Sequence, residues 1–286
     1  MAHGVTGGDR VAFEPVVDAF AEGLSVATLA GAGQGLVHLD LALCELAPGG
    51  SVRGHLHPFE ESFYVLSGEA LVAVGGASHR LGPDDFGVVP LAAPHAWGNP
   101  GDRPARWLRV RSPQPKALGS ARGVYPAAKE VPASGEPVGG GDPSNRLVGH
   151  FALEHLPAPG PLAMQGYRDP AVRSLSTWTL LDGLLGAQHH TMLVIQAQPG
   201  PPPPPPGGEH FHPFEEAFYF VSGSATAHLE GRELPVKAGH LVFAGVGALH
   251  AFTNPGDEPA RWIELQAPPP PPSGAFFFTR DWTPPG

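Results

Sequence analysis

The feature that most constrains this chain is a long stretch of itself written twice. Residues 55–107 align with residues 210–262 without a gap, at an offset of 155, and 23 of the 53 positions are identical. A repeat of that length is a folding unit in two copies, and 286 residues leave room for two domains of ordinary size. Identity gathers at the two ends of the repeat. The first block is HxHPFEExFY with a following Ser-Gly, at 55–68 and 210–223, and the second is HAxxNPGDxPARW, at 95–107 and 250–262. A duplication that drifts in its middle and holds at its ends carries two local constraints. In front of the first block the copies differ. Five residues separate Pro48-Gly49 from His55, but nine separate Pro199-Gly200 from His210, and six of those are the run Pro201–Pro206. Such a run is a stiff polyproline segment, expected at the rim of the second unit. Pro268–Pro272 reads as another extended connector. The Pro-, Gly-, Ser- and Ala-rich stretch 112–146 reads as a linker, so the expected domains are 1–111 and 147–286.

The punctuation of the chain sets its secondary structure. Its 39 glycines and 36 prolines are interleaved with apolar β-formers, so a long helix would be broken wherever it began. GLVHLDLALCEL places apolar side chains at every second position. SFYVLSG, EALVAVGG and DFGVVPL read as short strands, as do HTMLVIQAQ, AFYFVSG, SATAHLEGREL and HLVFAGV. LEGRE is a hairpin turn with Gly231 at its tip. The expectation is an all-β chain of two tandem jelly-roll barrels.

The two-residue period of a strand then places the histidines. His55 and His57 point to one face, and His95, Trp97 and Asn99 share another. Glu61 can return from a bend at Pro58-Phe59. The resulting sets are His55, His57, Glu61 and His95 in the first unit, and His210, His212, Glu216 and His250 in the second. A lone His-x-His is a weak signal, but four ligand types at matched spacing in two diverged copies are a strong one. Three neutral nitrogens and one carboxylate suit a divalent transition ion (Fe, Mn, Ni, Co, Cu or Zn), one per barrel. Glu60 and Glu215 should face away from it. Trp97 and Phe252 share a face with the last histidine of each set, and Phe63 and Phe218 lie two residues past the glutamate. Together they would wall a pocket for an apolar or aromatic substrate. Arg53 is a candidate for the pocket mouth, and His190 for the second pocket.

Charge and composition exclude other classes. A net charge of −10 with no cluster of Lys and Arg argues against nucleic acid or an anionic membrane as partner. The single cysteine, Cys44, sits in the apolar run LALCEL. It reads as a core thiol and suits a reducing, cytoplasmic setting. The first residues lack a signal-peptide core, and no apolar run approaches the ~18 residues of a membrane span. The expected partner is a small-molecule substrate, with homo-oligomerisation left open.

These residues resemble the cupin superfamily. Its first motif, G-x5-H-x-H-x3,4-E-x6-G, is met by Gly49, His55, His57, Glu61 and Gly68, and its second, G-x5-P-x-G-x2-H-x3-N, by Pro90, His95 and Asn99. Asp84 and Ala92 stand where that motif has glycine. The second unit has His210, His212, Glu216 and Gly223, then Gly239, Gly247, His250 and Asn254. The resemblance implies a bicupin, two double-stranded β-helix barrels each holding a metal on the same eight residues. It also implies that Glu61 or Glu216 can leave the metal and act as base. Cupins perform many reactions, so activity must be read from the pocket. The ligand strands bring no Lys and no second inward carboxylate, and acid–base chemistry needs a placed proton carrier. The expectation is therefore a metal-dependent dioxygenase acting on a small organic substrate. The alternatives are a metal-dependent hydrolase, lyase or isomerase, or a non-catalytic binding protein.

Overall fold

The computed structural model describes the chain except for residues 9, 117–122, 139–146, 161, 165–166, 170–173, 201–207 and 280–286. The expected proline rim at Pro201–Pro206 thus lies outside the described residues. The chain is nearly all β and forms two curled barrels. The first is one continuous curled sheet, in which the long strand Asp40–Leu56 pairs along its first half with Ala105–Ser112 and along its second half with His95–Gly98, and with Ala21–Ala30 on its other edge. The second consists of two sheets, one around Glu215–Ser222 and one around His250–Thr253. The hairpin Ser224–Leu229/Arg232–Lys237 turns at Glu230-Gly231, both at positive φ, as the LEGRE signal requires. The segment 112–146 contributes two short strands, Tyr125–Pro126 and Glu136–Pro137, to the first barrel's sheet.

The repeated residues that are not ligands hold turns. Asn99 donates to the carbonyls of Leu46 and Arg103 and accepts from the Gly101 N–H. Asn254 does the same with Ala197, Glu258 and Gly256. Gly68 and Gly223 end the glutamate strands at φ 76° and 70°. A Cβ at either would collide with the carbonyl oxygen of Pro104 or Pro259. The Ser-Gly of the first block is therefore locked to the Pro-Ala-Arg-Trp of the second.

Strand alternation creates three cores. Phe63 and Val65 point into the first barrel with Trp97 and Trp107. Phe218 and Phe220 point into the second with Trp262. The opposite faces of both barrels build a third core between them, from Leu41, Leu43, Leu108 and Val110 against Met192, Val194, Ile263 and Leu265. Each fully buried aliphatic side chain there contributes ~1.5–3 kcal/mol relative to exposure, so the barrels are welded together.

Polar groups reinforce the weld in a reciprocal pattern. Glu60 and Glu215 face the opposite barrel, as the strand period demands. Glu215 accepts backbone N–H bonds from Val37, His38 and Leu39 at 2.6, 2.9 and 3.0 Å. Glu60 accepts from Gln188 and His189 at 2.8 and 2.9 Å. Edge strands are exchanged too. His3–Gly7, which precedes the first barrel, pairs with His240–Ala244 of the second. Val148–His150, which precedes the second, pairs with Asp85–Val89 of the first.

Candidate metal centres

Each histidine set sits where two strand ends meet. His55 pairs opposite His95, and His210 opposite His250. His57 and His212 follow at bends whose phenylalanine lies flat on the imidazole. Phe59 stacks on His57 at 4.2 Å between centroids, and Phe214 on His212 at 3.8 Å. The bend expected at Pro58-Phe59 therefore orients the ligand as well as joining the two strands.

All six imidazoles are anchored the same way. Nδ1 approaches a backbone carbonyl two residues away, from 2.7 Å for His57 to Phe59 up to 3.4 Å for His210 to Gly208. With the ring proton donated to that carbonyl, the Nε2 lone pair aims at the centre of the set. The Nε2 atoms of His57 and His95 are buried with no hydrogen-bond partner among the described residues. Burial pushes the His57 imidazole down, and pushes His95 and His210 down to about 3, so these rings are neutral at neutral pH. The ligand atoms of His210, His212, Glu216 and His250 lie within 4.8 Å of one another, as do those of His55, His57 and His95.

The two glutamates differ. In the second barrel Glu216 Oε2 lies 2.9 Å from Nε2 of both His212 and His250. Gln266 donates to the other carboxylate oxygen at 2.8 Å. Burial alone would raise this carboxyl, but His212 and His250 outweigh it and hold it low. In the first barrel Glu61 Oε2 is 4.0 Å from His57 Nε2 and accepts a 2.9 Å hydrogen bond from Arg111 Nε. Burial is overcome there by Arg111 and then Arg109, and the carboxyl again stays well below its usual range. The structure thus assembles four groups in the second barrel and three histidines in the first, with Glu61 turned aside.

Arg109 and Arg111 escaped the sequence reading, as did their counterparts Glu264 and Gln266. They share the inward face of Ala105–Ser112 and Ala260–Ala267 with Trp107 and Trp262. The signal was present as W-x-R-x-R against W-x-E-x-Q at matched positions. These strands carry no histidine to mark them. Glu264 is buried and accepts from Trp262 Nε1 at 3.2 Å and Gln266 Nε2 at 3.1 Å. Burial, and then the Glu216 charge, raise its carboxyl well above the usual range.

The remaining candidates separate. Phe63 and Trp97 meet edge to face at 4.9 Å, and Trp97 stacks on Trp107 at 4.8 Å, beneath the first set. Phe218 lies 5.7 Å from His250 and 4.6 Å from Phe252. The Arg53 residue is exposed. His190 is fully buried between the barrels, its Nε2 2.6 Å from Ser62 Oγ and its Nδ1 3.5 Å from Glu60. A wall not foreseen comes from the end of the chain. Beyond Pro268–Pro272, Phe277–Phe278 pairs with His210–Phe211. The Phe276 ring comes within 5.5 Å of His210 and 5.3 Å of His212, and Phe278 within 5.2 Å of His210.

The cupin domain matches at two regions, residues 42–111 and 195–265, and the chain belongs to the cupin superfamily as a two-barrel member. Solved structures share the architecture at low identity. A Lactobacillus farciminis oxalate decarboxylase in complex with formate is 17% identical, with a TM-score of 0.63, covering 97% of this chain and 89% of that one. A Pseudomonas aeruginosa protein described as a putative glyoxylate-induced protein is 16% identical at TM-score 0.64, covering 93% and 89%. Among curated proteins, the Streptomyces glaucescens tetracenomycin polyketide synthase protein TcmJ is 40% identical over 70 residues, 24% of this chain and 47% of that protein. The match thus spans under half of that relative. No helix among the described residues is long and apolar enough to cross a membrane.

Proposed function

We propose that the protein is a metal-dependent enzyme of a small organic substrate, with a divalent transition ion in each barrel and the chemistry in the second. The supporting observation is the convergence of His210, His212, His250 and Glu216 on one point. Nε2 of His212 and of His250 stand 2.9 Å from one carboxylate oxygen in a buried site, and Nδ1 of each ring lies against a backbone carbonyl. A buried carboxylate among three imidazoles is costly unless a cation, a proton or a metal ion, is shared among them, and the four groups are those that hold a divalent ion. Neighbouring ligands on one ion with bonds of ~2.1 Å lie about this far apart. A bound ion would supply Lewis-acid polarisation of a substrate oxygen.

The chain's own residues do the rest. Phe218, Phe252, Phe276 and Phe278 exclude water and select an apolar or aromatic body. Glu264, whose carboxyl burial raises well above its usual range, lies beside Gln266, whose amide donates to both Glu264 and Glu216. Glu264 is the inward carboxyl that the ligand strands lack, and it is the proton carrier of this reading. With it present, the best-supported class is acid–base: hydrolase, lyase or isomerase. The oxalate decarboxylases that share the fold are lyases. The dioxygenase reading stands second, favoured by the dry aromatic wall around the site.

Elemental analysis of wild type, His55→Ala and His210→Ala tests the metal. One ion is expected to be lost from each variant, and a wild type with only trace metal would sink the reading. Glu264→Gln tests the reaction class. It should keep its metal and lose at least ~100-fold in turnover under nitrogen. Oxygen consumption that is unchanged in Glu264→Gln would favour the dioxygenase instead.

A further inference from the structure

The two barrels close differently where their exchanged strands meet their hairpins. In the first barrel the hairpin edge Ala77–Leu81 is covered. Glu136–Pro137 pairs with it in parallel, at His79 and Arg80. Val138 and Leu147 pack against the barrel core beside it. A Cβ at Gly75 would stand 2.6 Å from Leu147 Cδ1, so the gap is filled. In the second barrel, 155 residues on, the matching edge Arg232–Lys237 pairs with Ser224–Leu229 alone among the described residues. The exchanged strands put Gly4 where the first barrel has Leu147. A cleft of about 460 Å³ stays open between His3–Gly7 and Arg232–Lys237. Val5, Leu234 and Pro235 form its apolar side, and Arg10, Arg232 and His240 its basic side. The charges change as the shape does. Asp85 of the first barrel pairs with His150 at 2.8 Å. The matched positions in the second are His240 and Gly7, opposite each other in the register. Arg232 stands where the first barrel has Ala77. Arg10 and Arg232 are exposed, and neither has a carboxylate within ion-pair distance among the described residues.

We propose that this cleft binds a phosphate monoester with a small, partly apolar body, at a site separate from both metal centres. Two guanidinium forks suit the two charges and three free oxygens of such a group. Val5, Leu234 and Pro235 take the body, and the volume lies within the ~300–1,000 Å³ of small-molecule sites. A strand-adding peptide fits less well. Pro235 stands where Arg80 of the first barrel meets Pro137, and it offers no N–H to a further strand. Arg10 belongs to the leading segment of the chain and Arg232 to the second barrel. A ligand held by both clasps His3–Gly7 onto His240–Ala244. None of these residues belongs to a histidine set, so the inference is independent of the metal reading.

The test adds phenyl phosphate to the full chain, with affinity read by calorimetry and hydrogen exchange followed along the sequence. Slower exchange is expected along 3–7 and 240–244, the segments that the ligand joins. Arg10→Gln and Arg232→Gln should each weaken phenyl phosphate at least ~10-fold, with unfolding midpoints unchanged. Inorganic phosphate should bind at least ~10-fold more weakly than phenyl phosphate, for want of an apolar body. Benzoate should also bind at least ~10-fold more weakly, for want of the second charge. Benzoate binding as tightly as phenyl phosphate would overturn the assignment to a phosphate. Unchanged affinity in both arginine variants, or protection confined to the histidine strands, would overturn the site. Either result leaves the metal reading of the barrels intact.

Discussion

At residue scale, the glycines missing from the first unit are a direct reading of backbone strain. Ala92 and Asp84 sit at φ 60° and 68°, and their counterparts Gly247 and Gly239 at 75° and 85°. The left-handed region disfavours a Cβ. Ala92 tolerates it because its N–H bonds to the carbonyl of the ligand His57, as the Gly247 N–H does to His212. Ala92→Gly should therefore raise stability by about 0.5–1 kcal/mol in urea denaturation, with metal content unchanged. Asp84 is a different case, since its carboxylate accepts from the Tyr64 hydroxyl at 2.6 Å. The titration of the histidines gives a second prediction. His95 and His210 resist protonation until about pH 3, whereas the unfolded chain takes up those protons below about 6.5. The unfolded state then binds more protons, so the metal-free protein should lose stability as pH falls from 6.5 towards 3. Glu61 and Glu216 add to the loss at the acid end, and Glu264, raised above its usual value, acts in the opposite sense. Denaturation midpoints at pH 7 and pH 5 check this, and bound metal should leave over the same window.

At the scale of elements, the strand period carried the sequence reading a long way. It placed His55 and His57 together, turned Glu60 and Glu215 outward, and marked the Glu230-Gly231 hairpin. It could not say what Glu60 and Glu215 face, because their partners lie about 130 to 180 residues away in sequence. Each accepts two or three backbone N–H groups of the other barrel, part-buried except for the buried Leu39 N–H, and these would lose that partner without it. Glu60→Ala or Glu215→Ala should cost ~2–4 kcal/mol, and urea denaturation should show both barrels weakened together. His190 was expected in the second pocket because it precedes a strand. The structure turns it to Ser62 of the other barrel, a contact that no local pattern encodes. The aromatic strap was invisible for a related reason. AFFF near the chain's end reads as an apolar run, and only its pairing with His210–Phe211 puts Phe276 over the histidines.

For the whole molecule, exchange of edge strands makes each barrel incomplete without the other's leading segment. Deleting residues 1–8 removes the strand on His240–Ala244 and should loosen the second barrel first. Hydrogen exchange should rise along 240–244 before it rises along 85–89. The shared core between the barrels also means that either barrel expressed alone would expose Leu108 and Val110, or Ile263 and Leu265, to water.

The sequence by itself determined the class: two β-barrels, six inward histidines and the turns that hold them. These depend on short-range periodicity and on spacings within one repeat, which a chain displays without folding. Only the tertiary structure decided the differences between the barrels. The glutamates are equivalent by sequence. Which oxygen each offers depends on the charge of a residue on a neighbouring strand some 50 positions away, Arg111 in one barrel and Gln266 in the other. A carboxylate takes the partner that folding brings beside it, and that choice is made across strands.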